Sequence, residues 1–462
     1  MLHQLLISAA TPQTRPIHLV TSGSWPEVAL RLSATARGYL EATAFKPTPG
    51  RVVIAPAPDG TIEAVVMGVD LAGSKGVDPF VCGKLSASLP AGDYMFSNLP
   101  EKPELAFLAF LLASYRFTRY KTAETPEARL VVPPGIDGIR LSRIAESIAF
   151  GRDLINTPAA DMGPVALADA AKALAGAFSA AVCETVGDAL LANNYPMIHA
   201  VGRAAQEQPR LIDFTWGNPA HPKVTLVGKG VCFDTGGLDI KPSPHMLLMK
   251  KDMGGAATAL TAARMIMEAG VKVRLRVLVP IVENSISASS FRAGDVLQSR
   301  KGLTVEIGNT DAEGRLILGD ALALADEETP DLLLDFATLT GAARVALGPD
   351  LPPFYTNDEQ LAADISGAGS AINDPVWRLP LWPAYHAMFE SRIADLNNAG
   401  TGGMAGSITA ALFLSRFVTN TRSYAHFDIY GWSPSQKSGL PDGGNPQVAR
   451  LVLELLEHRY GL

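Results

Sequence analysis

Cysteine is scarce in this 462-residue chain: Cys82, Cys183 and Cys232 stand far apart, with no CxxC pair among them. That scarcity excludes a disulfide framework and a thiolate metal knuckle, and it reads as reduced thiols in a reducing compartment. Charge is also sparse, at 18% of residues, and its balance is negative, a formal −7. Such a chain has no general attraction for nucleic acid or anionic membrane; DNA binding would need a local basic patch and is not expected. Long apolar runs are missing as well. The longest, LAFLAFLLA at 105–113, is far too short to cross a bilayer. The N-terminus, MLHQLLISAATPQTRP, has no basic stretch leading into a sustained apolar one, so it does not read as a signal peptide. These absences predict a cytoplasmic protein with no membrane partner.

What is present is a large core. Hydrophobic residues make up 47% of a chain too long for one ordinary domain. Residues 15–120 alternate short β-like runs (RVVIA, EAVVMGV, DYMFS) with apolar helical stretches (WPEVALRLSATARGYLEA, ELAFLAFLLASYRF), the pattern of a small α/β domain. The breaker-rich TPEARLVVPPGIDG, 125–138, is the linker candidate. The division expected is therefore 1–135 and 136–462. In the second part KVTLVG, VRLRVLVPIV, TVEIG and DLLLDFAT alternate with helical stretches such as GGAATALTAARMIMEAG and RLILGDALALADEE. Strand, loop and helix repeated this way predict a mostly parallel central sheet flanked by helices, with chemistry in the loops beyond the strands' carboxyl ends.

Two polar clusters fall in such loops. GNTDAEGRLILGDAL, 308–322, sets Asn309, Asp311, Glu313 and Arg315 at every second position between glycines. Carboxylates held so close repel unless one takes a proton or a cation joins them. A calcium loop is the rival reading, since the Asn309, Asp311, Glu313, Gly314 spacing suits one. Ile317 then occupies a ligand position, Asp320 stands where Glu is usual, and a strand enters where a helix should. The other cluster is VTLVGKGVCFDTGGLDIKPSPHMLLMKKDMGGAA, 224–257, which places Lys229, Asp234, Lys241 and Asp252 in an otherwise apolar, Gly-rich loop. Taken singly, Lys229 would snorkel outward and Asp252 would cap a helix. A lysine that stays in so apolar a loop tends to lose its proton. Oxygen ligands with one amine suit Zn²⁺ or Mn²⁺, with Mg²⁺ and Co²⁺ also compatible.

NTDAEGRL at 309–316, with VGKGVCFDTGGLDIKP at 227–242 and MKKDMGGAA at 249–257, resembles the two-metal leucyl aminopeptidase family. The resemblance runs in order through GRDLINTPAADMGP, PIVENSIS, RAGDVLQS, DFATLTGAARVALG and SITAALFLSRF, most of residues 140–435. It implies that Lys229, Asp234, Asp252, Asp311 and Glu313 bind two divalent metals, Asp234 and Glu313 bridging. It further implies Lys241 and Arg315 as non-ligand catalytic residues, the guanidinium holding a bicarbonate proton shuttle. Physically, two nearby metals would activate a shared water and Lys241 would stabilise the oxyanion, whereas Arg315 keeps its proton and cannot be a base. A free α-amine on the substrate would fix its carbonyl in place, which selects exopeptidase action. Met249 and the Thr338–Gly341 stretch, including Leu339 and Gly341, match the family's side-chain pocket. Short peptides as substrates and a homo-hexamer follow from the same resemblance. DNA binding occurs in some bacterial relatives, and the acidic balance argues against it here. The chain departs from the pattern at GLPDGGNPQVARLVLELL, 439–456, a segment expected to shape the substrate pocket. His426 reads as a hydrogen-bonded core residue, and His245 has no assigned role.

Overall fold

The structure, a computed structural model, describes residues 2–70 and 77–461. It divides into two compact units, Met1–Ala149 with Ser435–Asp442, and Phe150–Pro434 with Gly443–Leu462.

The first unit is built on strands β1 (Leu6–Ile7), β2 (Arg15–Val20), β3 (Val52–Pro56), β4 (Ile62–Gly68), β5 (Gly92–Phe96) and β6 (Ala128–Val131). They form one sheet in the order β1-β6-β5-β2-β4-β3, parallel except for the β3–β4 pair. WPEVALRLSATARGYLEA is two helices rather than one, Trp25–Arg31 and Ala34–Ala42, because the Ser33 hydroxyl caps the second by accepting from Ala36 N at 3.1 Å. Leu32, Ala36, Leu40 and Phe45 pack there against Val20, Ala55, Ala64 and Val66. Helix Pro103–Ala113 is apolar all round and buried from Leu105 onward, as such a helix must be. The expected linker contains β6, which pairs with both β1 and β5. Its breakers flank a four-residue strand, and the two units part instead at 149/150, inside helix Gly138–Asn156.

The second unit carries β7 (Ala181–Val186), β8 (Arg210–Trp216), β9 (Lys223–Gly228), β10 (Gly230–Asp234), β11 (Arg274–Asn284), β12 (Val296–Gln298), β13 (Thr304–Glu306), β14 (Leu332–Ala337), β15 (Pro353–Tyr355), β16 (Trp377–Arg378), β17 (Leu396–Asn397) and β18 (Tyr424–Asp428). Among the described residues, nine of these make the central sheet, in the order β16-β15-β18-β14-β9-β11-β8-β7, with β10 added on β11. Strands β18, β14, β9, β11 and β10 run parallel, while β7, β8 and β15 pair antiparallel toward the edges. All six residues of β14 are buried, as expected of a strand covered on both faces. TVEIG contributes β13, which lies outside that sheet, in a three-stranded one with β12 and β17. Its three strand residues are too few to follow the long central strands.

Helices Gly254–Ala269 and Gly314–Glu327 cover the sheet with nearly continuous burial. The first comes unusually close. A Cβ on Gly255 would stand 2.1 Å from Phe336 O and 2.9 Å from Lys229 N, so the helix start can rest on the ends of β9 and β14 only with glycine there. The carboxyl ends of β9, β10, β11, β14 and β18 lead directly into Lys229, Asp234, Asn284, Thr338 and Asp428.

Candidate metal centre

Lys229 leaves the end of β9 with its backbone held on both sides. Its N–H donates to Phe336 O at 3.0 Å, and its carbonyl accepts from Ala256 N at 2.8 Å. The side chain therefore points into the space between those elements. Nζ lies 2.8 Å from Asp252 Oδ2 and 3.0 Å from Glu313 Oε1, and donates to Thr338 O at 3.2 Å. A Cβ on Gly314 would stand 2.5 Å from Lys229 Cε, so the glycine of AEGRL makes room for this lysine.

Asp234 ends β10 and is buried. Its Oδ1 accepts from Gly236 N at 2.9 Å and Asn284 Nδ2 at 2.8 Å, and its Oδ2 lies 2.8 Å from Lys241 Nζ. Lys241 also pairs with Asp311. Asp252 sits in the short 3₁₀ turn Met249–Met253 and does not cap the following helix. Its Oδ1 accepts from the Thr338 hydroxyl at 2.8 Å. The carboxylate oxygens of Asp234, Asp252 and Glu313 converge within 4.8 Å of one another. Asp311 stands to the side of that trio, held by Lys241.

Four carboxylates face two ammonium groups here, which explains the electrostatics. Burial first, then Asp234, pushes Glu313 up to about 8 and Asp311 up to about 6. Burial also raises Asp252. At the lysines, burial and the neighbouring acids oppose each other. Burial works to lower Lys229, yet Asp252, Glu313 and Asp234 outweigh it and hold the pKa above the ordinary lysine value. The same balance raises Lys241, where Asp234 and Glu313 overcome burial. The surrounding carboxylates thus favour the ammonium form of both amines.

Does the donor set fit a divalent cation? Among the described residues, Glu313 Oε2 is buried with no hydrogen-bond partner. Three convergent carboxylates with an orphaned oxygen and an adjacent amine are the hard donor set such an ion takes. Arg315 is suited to an anion. Its Nη1 donates to Asn398 O at 2.7 Å, while its buried Nε has no partner among the described residues. Burial lowers its pKa to about 10, which leaves it a cation at neutral pH.

A cavity of 590 Å³ opens over these groups. Lys229, Asp234, Lys241, Met249, Asp252, Asp311, Glu313, Arg315, Thr338, Leu339 and Gly341 all line it, so the residues that the family resemblance pointed to lie around one cavity. His245 lines it too. The wall expected from 439–456 comes instead from 399–409, through Ala399, Gly400, Gly403, Met404, Gly406 and Thr409, and no lining residue lies beyond Tyr430. The calcium-loop reading fails on Asp320, whose carboxylate is spent on the backbone N–H groups of Met197, Ile198 and Arg300. His426 is buried, with Nδ1 2.7 Å from Asp335 Oδ1.

Sequence reasoning missed three supports. Asn284 donates to Asp234 and to Thr310 O, tying the two polar loops together. Asn398 accepts from Gly308 N and Asn309 N and donates to Asn309 O, bracing the acidic loop. Asp428 accepts from Leu339 N, Thr340 N, the Thr340 hydroxyl and the Ser407 hydroxyl, fixing the stretch after β14. None stands in a pattern that announces it.

Comparison with known proteins places this arrangement. The family model described as cytosol aminopeptidase family, catalytic domain, matches residues 149–452, and that of the M17 aminopeptidase N-terminal domain matches 16–133. A probable cytosol aminopeptidase of Syntrophotalea carbinolica is 39% identical over 365 residues, 75% of this chain and 73% of that protein. The crystal structure of cytosol aminopeptidase from Coxiella burnetii is 43% identical, with a TM-score of 0.94 over 99% of this chain and 100% of that one. The bottromycin maturation enzyme BotP in complex with Mn is 31% identical, with a TM-score of 0.86 over 97% and 99% of the two chains.

Proposed function

This chain belongs to the M17 cytosol aminopeptidase family and is a metallo-aminopeptidase, and on that premise we propose the residues and steps by which it acts. The observation that carries the proposal is the convergence of Asp234, Asp252 and Glu313 around an orphaned Glu313 oxygen. We assign Lys229, Asp234, Asp252, Asp311 and Glu313 as holders of two divalent ions, Zn²⁺ or Mn²⁺ by preference, with Asp234 and Glu313 shared. Bound there, the ions supply Lewis acidity that polarises the scissile carbonyl and makes water nucleophilic at neutral pH. Arg315, with its free Nε, would hold bicarbonate, whose chemistry is proton transfer between water and leaving amine.

The chain's own groups do the rest. Lys241 keeps its proton and donates a hydrogen bond to the oxyanion as the carbonyl carbon becomes tetrahedral. Thr338 positions Asp252 through its hydroxyl and Lys229 through its carbonyl. Met249, Thr338, Leu339 and Gly341 receive the side chain of the N-terminal residue. The cavity volume suits short peptides. We extend the reading to a homo-hexamer acting in the cytoplasm. Among the described residues no helix is long and apolar enough to cross a membrane.

Hydrolysis of aminoacyl anilides, with metal-stripped protein and with Zn²⁺, Mn²⁺ or Mg²⁺ restored, tests the assignment. Glu313→Gln removes one charge from the shared ligand and is expected to lower metal-dependent kcat/KM by at least roughly a hundred-fold. A variant as active as wild type at limiting metal would remove Glu313 from the metal site.

A further inference from the structure

Within MKKDMGGAA, the two-metal scheme gives Lys251 no task. The residue is 7% exposed and lines the cavity. Among the described residues no carboxylate or carbonyl bonds its ammonium, which stands instead 5.0 Å from the ring centre of Tyr430. A buried cation with no counter-charge is costly unless something supplies one. The acids near enough to do so are committed elsewhere. Asp252 takes Lys229 and the Thr338 hydroxyl, and Asp428 takes four donors from Leu339, Thr340 and Ser407. Arg344 repeats the pattern: its guanidinium carbon lies 5.1 Å from the same Tyr430 ring, and Nη1 lies 3.4 Å from the phenol oxygen. Both cations and Tyr430 share the cavity with Met249 and Thr338.

We propose that Lys251 is a specificity-determining residue that binds a carboxylate on the side chain of the substrate's N-terminal residue, making glutamyl and aspartyl peptides substrates. The inference rests on the two-metal reading above, which puts that side chain against Met249, Thr338 and Gly341. Lys251 belongs to the same wall. It is the neighbour of Asp252, and Thr338 bonds the Asp252 carboxylate directly. The Tyr430 ring narrows the space between the cations and disfavours a bulky apolar side chain. Arg344, at the exposed rim, adds to the positive field without closing the pocket.

The test is kcat/KM for glutamyl, aspartyl, leucyl, methionyl and lysyl anilides, on metal-loaded wild type, Lys251→Met, Lys251→Arg and Lys251→Glu. Loss of a charge-assisted bond in a desolvated pocket lowers the Glu-to-Leu ratio in Lys251→Met by roughly ten- to a hundred-fold, mostly through KM. Lys251→Arg keeps the wild-type preference, and Lys251→Glu moves it toward lysyl substrate. An unchanged Glu-to-Leu ratio in a folded Lys251→Met protein overturns the inference while leaving the two-metal reading intact. So does wild type that cleaves leucyl but neither acidic substrate. If Lys251→Met instead loses Leu-Gly relative to its C-terminal amide, Lys251 reads the peptide's terminal carboxylate and the side-chain assignment is wrong. Wild type that cleaves no anilide with any metal brings down the two-metal reading and this inference together.

Discussion

Replacing Asp428 by alanine should damage both stability and catalysis, although Asp428 is neither a proposed ligand nor a catalytic group. Its carboxylate accepts from Leu339 N and Thr340 N at 3.1 Å each, from the Thr340 hydroxyl at 2.6 Å and from the Ser407 hydroxyl at 2.7 Å. In Asp428→Ala the two hydroxyls can turn elsewhere, but the two backbone N–H groups cannot. A fully buried donor left unsatisfied costs about 1–3 kcal/mol; these two are part-buried at the cavity wall, so the sum is expected at the low end, about 1–3 kcal/mol. Asp428→Asn is milder. Its Oδ1 can still take both amides, while Nδ2 meets hydroxyls that already accept, Ser407 from Tyr355 and Thr340 from Ala343 N. About 1–2 kcal/mol is expected for that variant. The loop that loosens carries Thr338, whose carbonyl and hydroxyl hold Lys229 and Asp252, so a displacement well under 1 Å should cost on the order of a hundred-fold in kcat/KM. Four of the five tryptophans lie in the second unit, so fluorescence-detected urea unfolding reports on the right part of the chain. Kinetics at saturating Mn²⁺ give the other half. Asp428→Ala with a wild-type urea midpoint and wild-type kcat/KM would refute the claim that this carboxylate holds the loop.

Two further outcomes are expected. Asp326 accepts from the backbone N–H groups of Thr419, Asn420 and Thr421 at 2.9, 3.0 and 2.8 Å. Burial works to raise its pKa, but these amides outweigh it and hold the carboxyl below 3.8. A depressed folded-state pKa stabilises above the unfolded value and loses that stabilisation as pH falls through the folded one. Asp326→Asn should therefore lower stability by about 1–3 kcal/mol at pH 7, and the gap should close below pH ~3.8; a gap that persists at pH 2 would show another cause. For assembly, sedimentation velocity at micromolar concentration should show a species six times the chain mass, and a monomer would remove the hexamer.

How much of this was legible beforehand depended on whether the signal was local. KVTLVG and DLLLDFAT announce buried parallel strands because a doubly covered strand is mostly apolar, and both fall where expected. TVEIG has the same local look, yet it sits in a side sheet, since three strand residues say nothing about which sheet they join. ARLV at 128–131 disappeared among prolines and glycines, though its partners β1 and β5 make it a full member of the first sheet. The acids and lysines of the site could be named because each cluster repeats chemistry at short spacing. Their protonation could not. The apolar run around Lys229 gave no sign that the folded chain brings Asp252 and Glu313 to 2.8 and 3.0 Å from its Nζ. The glycine-rich wall at 399–406 offered no pattern at all, because its role is to leave space.

The same crowding explains why the ligands alone do not specify the site. With all four acids ionised, four carboxylates and two ammonium groups would leave an excess of two negative charges, and burial together with that repulsion is why Glu313 and Asp311 are raised. Loops free to move would relax that repulsion by separating. These cannot, because Lys229 is bonded through its backbone to β14 and to the helix that follows Asp252, and Asn284 and Asn398 tie down the other two loops. Gly255 and Gly314 permit the close approach; a side chain at either would push apart the elements that carry the acids. A frame that fixes the acids at these separations limits the reorganisation that binding would otherwise demand. On the proposed assignment, cations would relieve that repulsion, and affinity would then depend on the two glycines and two asparagines as well as on the carboxylates themselves.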